Sequence, residues 1–291
     1  MWFWLAVASA ILGTAEVILS KKILNKVSSS VLAWSLFTLS LPPLIYLSFL
    51  EGVPALNLFF FIGVFGSSLV FIFSKMIYNN VLRQNLISKI LPLTAFSGLF
   101  TYIFGLIFLS EVIRPVPVIG LLFIVFGAYI LNADQAKEDL LKPFKLLFLK
   151  RESLLFLLAV VLGSLTAILD KSALNNTVPT SPIFTILIEQ TIMSVMIGAY
   201  MLKRESKVWF GQLKSNFVIL FLISIIFFLT GLSVFYSYGD GGPVALVMGV
   251  KRFQIFLILL MGYLFFKDKP TKHVWIATAI MVFGVLMIKL G

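Results

Sequence analysis

Leu19-Ser20-Lys21-Lys22-Ile23-Leu24-Asn25 closes the first long apolar stretch of the chain, and 150 residues later Leu169-Asp170-Lys171-Ser172-Ala173-Leu174-Asn175 closes another. Gly13-Thr14 before the first string falls on Gly163-Ser164 before the second at the same shift. Further along, the shift becomes 157, so that Glu111 falls on Asp268 and Gly127 on Gly284. Both acids sit in one pattern: acid, short basic turn, apolar helix, glycine. The chain therefore reads as two related halves.

The halves are built for lipid. Of 291 residues, 60% are hydrophobic and 12% charged, against about 45–50% and about 25% in soluble domains. So little charge cannot cover a water-facing surface, which excludes a soluble enzyme, a DNA-binding protein and a disordered chain. There is no cysteine and one histidine, His273, so disulfides, thiolate chemistry and His-based metal sites or triads are excluded. No cofactor and no metal is expected. The net charge of +11 fits cytoplasmic loops facing anionic lipid better than nucleic acid.

A helix needs about 20 apolar residues to cross the hydrocarbon. Ten such stretches are predicted: Trp2–Ser20, Val31–Leu50, Leu58–Tyr78, Leu86–Leu109, Pro117–Leu131, Ser153–Leu174, Ile183–Leu202, Phe217–Tyr238, Val244–Phe266 and His273–Leu290. Turn chemistry punctuates them at Pro42-Pro43, Pro54, Asn79-Asn80, Pro115, Asn175-Asn176, Gly239 to Pro243, and Pro270. The first stretch has a signal peptide's length, but it lacks a basic start and contains Glu16, so it reads as a span. The alternating ten-residue strands of a membrane barrel are absent. A basic, amphipathic linker over residues 134–152 separates a first five-helix repeat, 1–133, from a second, 153–291. Five is odd, so tandem halves must be inverted relative to one another. The expected fold is an all-α integral membrane protein of ten transmembrane helices in two inverted-topology repeats, with a binding site between them near midplane.

Three passages carry a family resemblance. The first is Ile90-Leu91-Pro92-Leu93 followed by Gly105-Leu106-Ile107-Phe108-Leu109-Ser110-Glu111. The second runs from Ile119-Gly120 to Phe126-Gly127-Ala128-Tyr129-Ile130-Leu131. The third runs from Val250-Lys251-Arg252-Phe253 through Gly262 to Asp268 and ends at Phe283-Gly284-Val285-Leu286. A helix ending in Gly-x-x-x-x-x-Glu, then a turn, then a glycine-spaced helix is similar to the EamA family of the drug/metabolite transporter superfamily. Here it occurs twice, with Asp268 in place of the second glutamate. The resemblance implies the five-plus-five fold and export of amino acids or other metabolites; it does not specify the cargo.

A charge at the membrane centre costs about 2.5–3.5 kcal/mol or more, so each one inside a span needs a reason. Ser9, Gly13, Glu16 and Ser20 share one face of the first helix, and Ala159, Gly163, Thr166 and Asp170 are their repeat partners. These stripes read as lining a cavity or as tight packing with acids near helix ends; Asp170-Lys171 also suits the interface. Lys251 and Arg252 lie a third of the way into the ninth span, with Gln254 on the face of Lys251 and Thr94 and Ser97 as repeat partners. Two adjacent cations so deep can hold an anionic substrate group, pair with Glu16 or Glu189, or fix the two halves together. Lys75, a few residues from a predicted span end, is expected to snorkel, and Lys89 lies just inside the fourth span. Glu189, beside Gln190, is a candidate for proton coupling, as is Glu16; the competing reading is a structural partner for a cation. Pro92 is expected to kink the fourth helix. Gly239, Gly241 and Gly242 read as a turn and candidate hinge, not a phosphate loop, because no Lys-Ser/Thr follows. Gly120 with Gly127, and Ala277 with Gly284, form close-packing seams, internal or between copies.

The leading functional expectation is a secondary transporter, not an enzyme, that moves a small polar metabolite, an amino acid or organic anion, by alternating access. Lys251, Arg252, Gln254, Glu16, Thr94 and Ser97 are the expected substrate-binding residues. A lipid or lipid-linked sugar flippase and a non-transporting structural membrane protein are the alternatives. Expected partners are an anionic or zwitterionic metabolite and membrane lipid, in a monomer or homodimer without nucleic acid. Odd-numbered connections hold 16 lysines and arginines and the others only Arg114. The positive-inside rule then places the termini outside a plasma or inner membrane, whereas the family resemblance implies termini inside.

Overall fold

The computed structural model describes residues 1–85, 91–130, 151–204, 208–266 and 272–291. The first half contains α1 (Trp2–Ile23), α2 (Ser29–Thr38), α3 (Leu41–Glu51), α4 (Leu58–Gln84), a 3-10 segment (Leu91–Phe96), α5 (Ser97–Phe108) and α6 (Pro115–Ile130). The second contains α7 (Arg151–Leu174), α8 (Pro182–Arg204), α9 (Val208–Ser215), α10 (Phe217–Gly239), α11 (Val244–Lys251), α12 (Phe253–Phe266) and α13 (Lys272–Leu290). Among the described residues, six helical stretches are long and apolar enough to cross a membrane: Trp2–Ile23, Ser29–Glu51, Leu58–Gln84, Arg151–Leu174, Pro182–Lys203 and Phe217–Gly239. The chain is an α-helical, multi-pass membrane protein. Most of the linker expected at 134–152 lies outside the described residues; Arg151 and Glu152 open α7.

Local chemistry sets the element boundaries. The Ser28 hydroxyl accepts from the Val31 amide at 3.2 Å, and the Asn57 side chain accepts from the Phe60 amide at 3.1 Å, capping α2 and α4. Pro42-Pro43 does not separate two spans. Instead it interrupts the hydrogen-bond ladder inside Ser29–Glu51, and the Ser40 hydroxyl donates to the carbonyls of Leu36 and Phe37, at 2.8 and 3.0 Å, across the break. A two-residue antiparallel bridge, β1 (Ala55–Leu56) with β2 (Thr177–Val178), ties together two connections on the same end of the bundle.

Helices from the two halves interleave. α6 packs on α13, α4 on α7, α1 on α10, α5 on α11, and α8 on α2. The glycine seams are internal. A Cβ on Gly120 would lie 2.6 Å from the Gly284 carbonyl, and one on Gly127 would lie 2.7 Å from the Ala277 carbonyl. Only hydrogen at these positions lets the α6 and α13 backbones touch. Large apolar side chains such as Phe59, Phe61, Phe65 and Phe73 of α4 and Val218 and Leu222 of α10 are exposed on the bundle exterior, as a hydrocarbon solvent requires.

Candidate functional site

The ninth apolar stretch is not one continuous helix. α11 ends at Lys251, Arg252 is in a tight turn, and α12 begins at Phe253. The Arg252 amide bonds the Gly249 carbonyl at 3.0 Å, and the Ile255 amide bonds the Arg252 carbonyl at 2.9 Å, so the ladder tightens locally to i→i+3. The fourth stretch has a related irregularity, a 3-10 segment over Leu91–Phe96 running into α5. Thr94 and Ser97 flank that junction as Lys251 and Gln254 flank the other. The two breaks meet: Arg252 Nε donates to Ser97 Oγ at 2.7 Å. Helix interruptions at depth are tolerated where they border a cavity rather than lipid.

A cavity of about 220 Å³ lies between the halves there. Lys251, Arg252, Gln254, Thr94, Glu16 and Glu189 line it, as do Asp170, Lys75, Tyr78, Tyr238 and Ser67. Of the expected binding residues, Ser97 alone is not on the lining; it buttresses Arg252 from behind. Gln254 Nε2 donates to the Gly13 carbonyl at 2.9 Å, which fixes α12 to α1. Of the first-helix stripe, Glu16 reaches the cavity, while Gly13 provides the close approach for Gln254. Ala159, Gly163, Thr166 and Asp170 of α7 all reach it.

Lys75 does not snorkel. α4 continues to Gln84, nine residues past Lys75, or about 14 Å at 1.5 Å per residue, beyond the reach of the side chain. Lys75 Nζ instead lies 2.7 Å from Glu16 Oε1 with both side chains 11% exposed. It also stands 5.0 Å above the Phe227 ring and 5.7 Å above Tyr78. Glu16 is thus taken by Lys75 rather than by Lys251 or Arg252. Among the described residues Lys251 makes no ion pair or side-chain hydrogen bond, and the Arg252 side chain hydrogen-bonds the Ser97 hydroxyl without an ion-pair partner.

On the opposite wall Ser67 Oγ donates to Asp170 Oδ1. The neighbouring Ser68 Oγ donates to the Glu189 carbonyl at 3.3 Å. Glu189 is buried, with Oε1 unpartnered, and the hydroxyl of buried Tyr238 is unpartnered too. Gln190 is held by the Ser40 hydroxyl. The cavity therefore has a basic wall and an acidic wall. Sequence reading did not single out Ser67, Tyr78, Tyr238 or Thr230. The signal was available: Ser67, Phe71, Ser74 and Tyr78 recur at i, i+4, i+7 and i+11 on α4, the same one-face rule that found the α1 stripe.

One end of the bundle is tied by an ion pair. Lys171 Nζ lies 2.5 Å from Glu111 Oε1 and donates to the Gly242 carbonyl at 2.9 Å, while Glu111 Oε2 accepts from the Val244 amide at 2.9 Å. Glu111 is aimed by the end of α5, where its amide bonds the Gly105 carbonyl at 3.1 Å and Ser110 adopts φ 53°. Gly105 leaves room for it, since a Cβ there would sit 3.3 Å from Glu111 Oε2. At the other end Lys21, the repeat partner of Lys171, donates to the carbonyls of Leu82, Arg83 and Asn85 at 2.5, 3.0 and 2.8 Å.

Gly239 ends α10, and Gly241, at φ +80°, makes the turn. Gly242 is closely packed: a Cβ there would stand 2.7 Å from the Ser237 carbonyl and 3.1 Å from Trp2 Cβ. Pro92 lies in the 3-10 segment. Lys89 and Asp268 lie outside the described residues, so the part of the fourth helix before the expected Pro92 kink and the second acid of the repeat pattern go undescribed.

Fold and cavity together define a helical membrane protein with a charged, solvent-sized chamber between two halves. No family model and no curated protein matches the sequence. Among solved structures 28 chains match. One, described only as a crystal structure of a protein, aligns at TM-score 0.66 and 16% identity over 97% of this chain and 98% of that one. At that identity the likeness concerns the fold alone.

Proposed function

We propose that this chain is a secondary active transporter of the EamA type that carries a small anionic or zwitterionic metabolite across the membrane by alternating access. The observation that carries the reading is the cavity wall of Lys251 and Arg252, two cations with no carboxylate partner among the described residues. Leaving two such charges unpaired inside a bundle is expensive; a cargo carboxylate or phosphate repays it, with Arg252 offering a planar fork and Lys251 a point charge. A purely structural protein gains nothing from them.

In this reading the ten apolar stretches all span, as two inverted five-helix repeats. The contact pattern supports it. A two-fold relation that exchanges Gly120 with Ala277 and Gly127 with Gly284 turns the Gly120–Gly284 contact into the Ala277–Gly127 contact, and both are present. The packing of α4 on α7 is answered by α10 on α1. Lys21 and Lys171 are tied to neighbouring carbonyls at opposite ends of the bundle. Two related latches at two mouths are what a rocking mechanism needs. The basic ends of α1, α4 and α8 face the cytoplasm in this reading and the termini lie outside.

The test is a thermal-shift screen of amino acids and of di- and tricarboxylates on the purified protein, followed by uptake into proteoliposomes. Replacing Lys251 and Arg252 together by Met and Gln is expected to abolish uptake while expression and monodispersity survive. Full retained transport in that variant would refute the reading.

A further inference from the structure

We propose that Asp170 and Glu189 form a proton-carrying site, separate from the Lys251 and Arg252 wall, and that this proton travels together with the cargo; the coupling rests on the transport reading above. Three observations place a proton there. First, Asp170 of α7 and Glu189 of α8 line the same cavity and are both contacted by the adjacent serines Ser67 and Ser68 of α4. Two carboxyls on one buried wall with no cation between them do not both stay ionised. Second, no cation neutralises the pair directly. Ser67 donates to Asp170, and Glu189 Oε1, in a residue 4% exposed, is unpartnered. Third, Tyr238, 2% exposed and lining the same cavity, has an unpartnered hydroxyl. A buried hydroxyl without a partner is costly, and water or cargo entering the cavity supplies one.

The surrounding charges are accounted for by element. α7 contributes Asp170 and α8 contributes Glu189. α10 contributes Tyr238, and α4 contributes Tyr78 and Lys75, the latter held by Glu16 of α1. The turn after α11 presents Lys251 and Arg252. Lys251 senses Asp170 electrostatically. An anionic cargo that neutralises Lys251 therefore weakens a positive charge that shares the cavity with the acid pair and favours its protonated form. Proton and anion then enter together, and release of one weakens the other, a reciprocal coupling. The step moves one proton between the carboxyl pair and cavity water; no covalent bond or redox change is involved.

The proton can be read without any cargo. Infrared spectra of the protein in lipid nanodiscs should show a protonated-carboxyl stretch that disappears reversibly as pH rises. The Asp170→Asn/Glu189→Gln variant should lack that band, whereas Glu51→Gln, altered at the bundle end, should keep it. A band that persists in the double variant would overturn the proposal, as would a band removed at constant pH by sodium and not by choline, which would make the pair a sodium site. In proteoliposomes with labelled L-glutamate and succinate as probes, pH-gradient-driven accumulation should be lost in Glu189→Gln relative to counterflow at equal pH. Wild-type protein that takes up neither probe counts against the transport reading for those cargoes, while the infrared result decides the proton site by itself.

Discussion

Removing either member of the Glu16–Lys75 pair leaves the other charge alone between α1, α4 and α10, and a stranded buried charge costs about 3–5 kcal/mol. Removing both leaves none. Glu16→Gln and Lys75→Met should each lower unfolding resistance in detergent clearly, and the double variant should be more stable than either, measured by thermal unfolding. If the losses simply add, the pair is not a coupled unit. Ser110 provides the opposite case. Its φ of 53° is a left-handed conformation at the end of α5, where glycine carries no Cβ penalty. Ser110→Gly should stabilise by up to about 1 kcal/mol. It should leave the Glu111–Lys171 contact in place, read as an unchanged stability loss on adding Glu111→Gln to either background.

At the scale of helices, the α6–α13 seam depends on absent side chains. A methyl on Gly120 or on Gly284 meets a backbone carbonyl of the other helix at 2.6 or 2.5 Å, and backbone yields only by parting the helices. Gly120→Ala and Gly284→Ala should each cost about 1–3 kcal/mol. Gly211→Ala, in exposed α9 with nothing within 4 Å of its Cβ, should gain up to about 1 kcal/mol from helix propensity. Equal effects at the three sites would remove the seam from the account. The six long spans were legible because hydropathy over some 20 residues is a strong signal, and the glycine seam was legible by its spacing. The irregularity before Ser97 was legible too, since its 3-10 segment contains Pro92. The break at Arg252 was not. It carries no helix-breaking residue; the tightened turn there depends on the Ser97 hydroxyl of another element, which local propensity cannot register. Lys75 was misread for a related reason. The predicted span ended at Tyr78, whereas α4 runs on through Asn79-Asn80, residues that read as a turn, to Gln84. The cations of the cavity could be found from sequence because charge in an apolar run stands out, while Tyr78 and Tyr238 are amphipathic and pass as ordinary lining.

Across the molecule, one end of the bundle is held by a side-chain carboxylate and the other by backbone carbonyls. Lys171 ties Glu111 to Gly242, so α7, the end of α5 and the turn before α11 are fastened by one ammonium. Lys21 has only the carbonyls that end α4 among the described residues. Both lysines make charge-assisted hydrogen bonds, but only Lys171 meets a full opposite charge, so the Glu111 latch should favour the state closed at that mouth. Loss of the carboxylate should shift the population towards opening there. The chain contains no cysteine, so a single introduced thiol reports access without background. Thr230→Cys, on the cavity wall, should react slowly with a membrane-impermeant maleimide added from the side of the termini. Adding Glu111→Gln should speed that reaction, whereas Lys21→Met should speed it from the other side. Acceleration of both reactions from one side, or of neither, would contradict a latch at each mouth. Running the assay on right-side-out cells and inside-out vesicles also shows which mouth faces the cytoplasm, and the 16-to-one distribution of basic residues between alternate connections predicts that it is the Lys21 mouth.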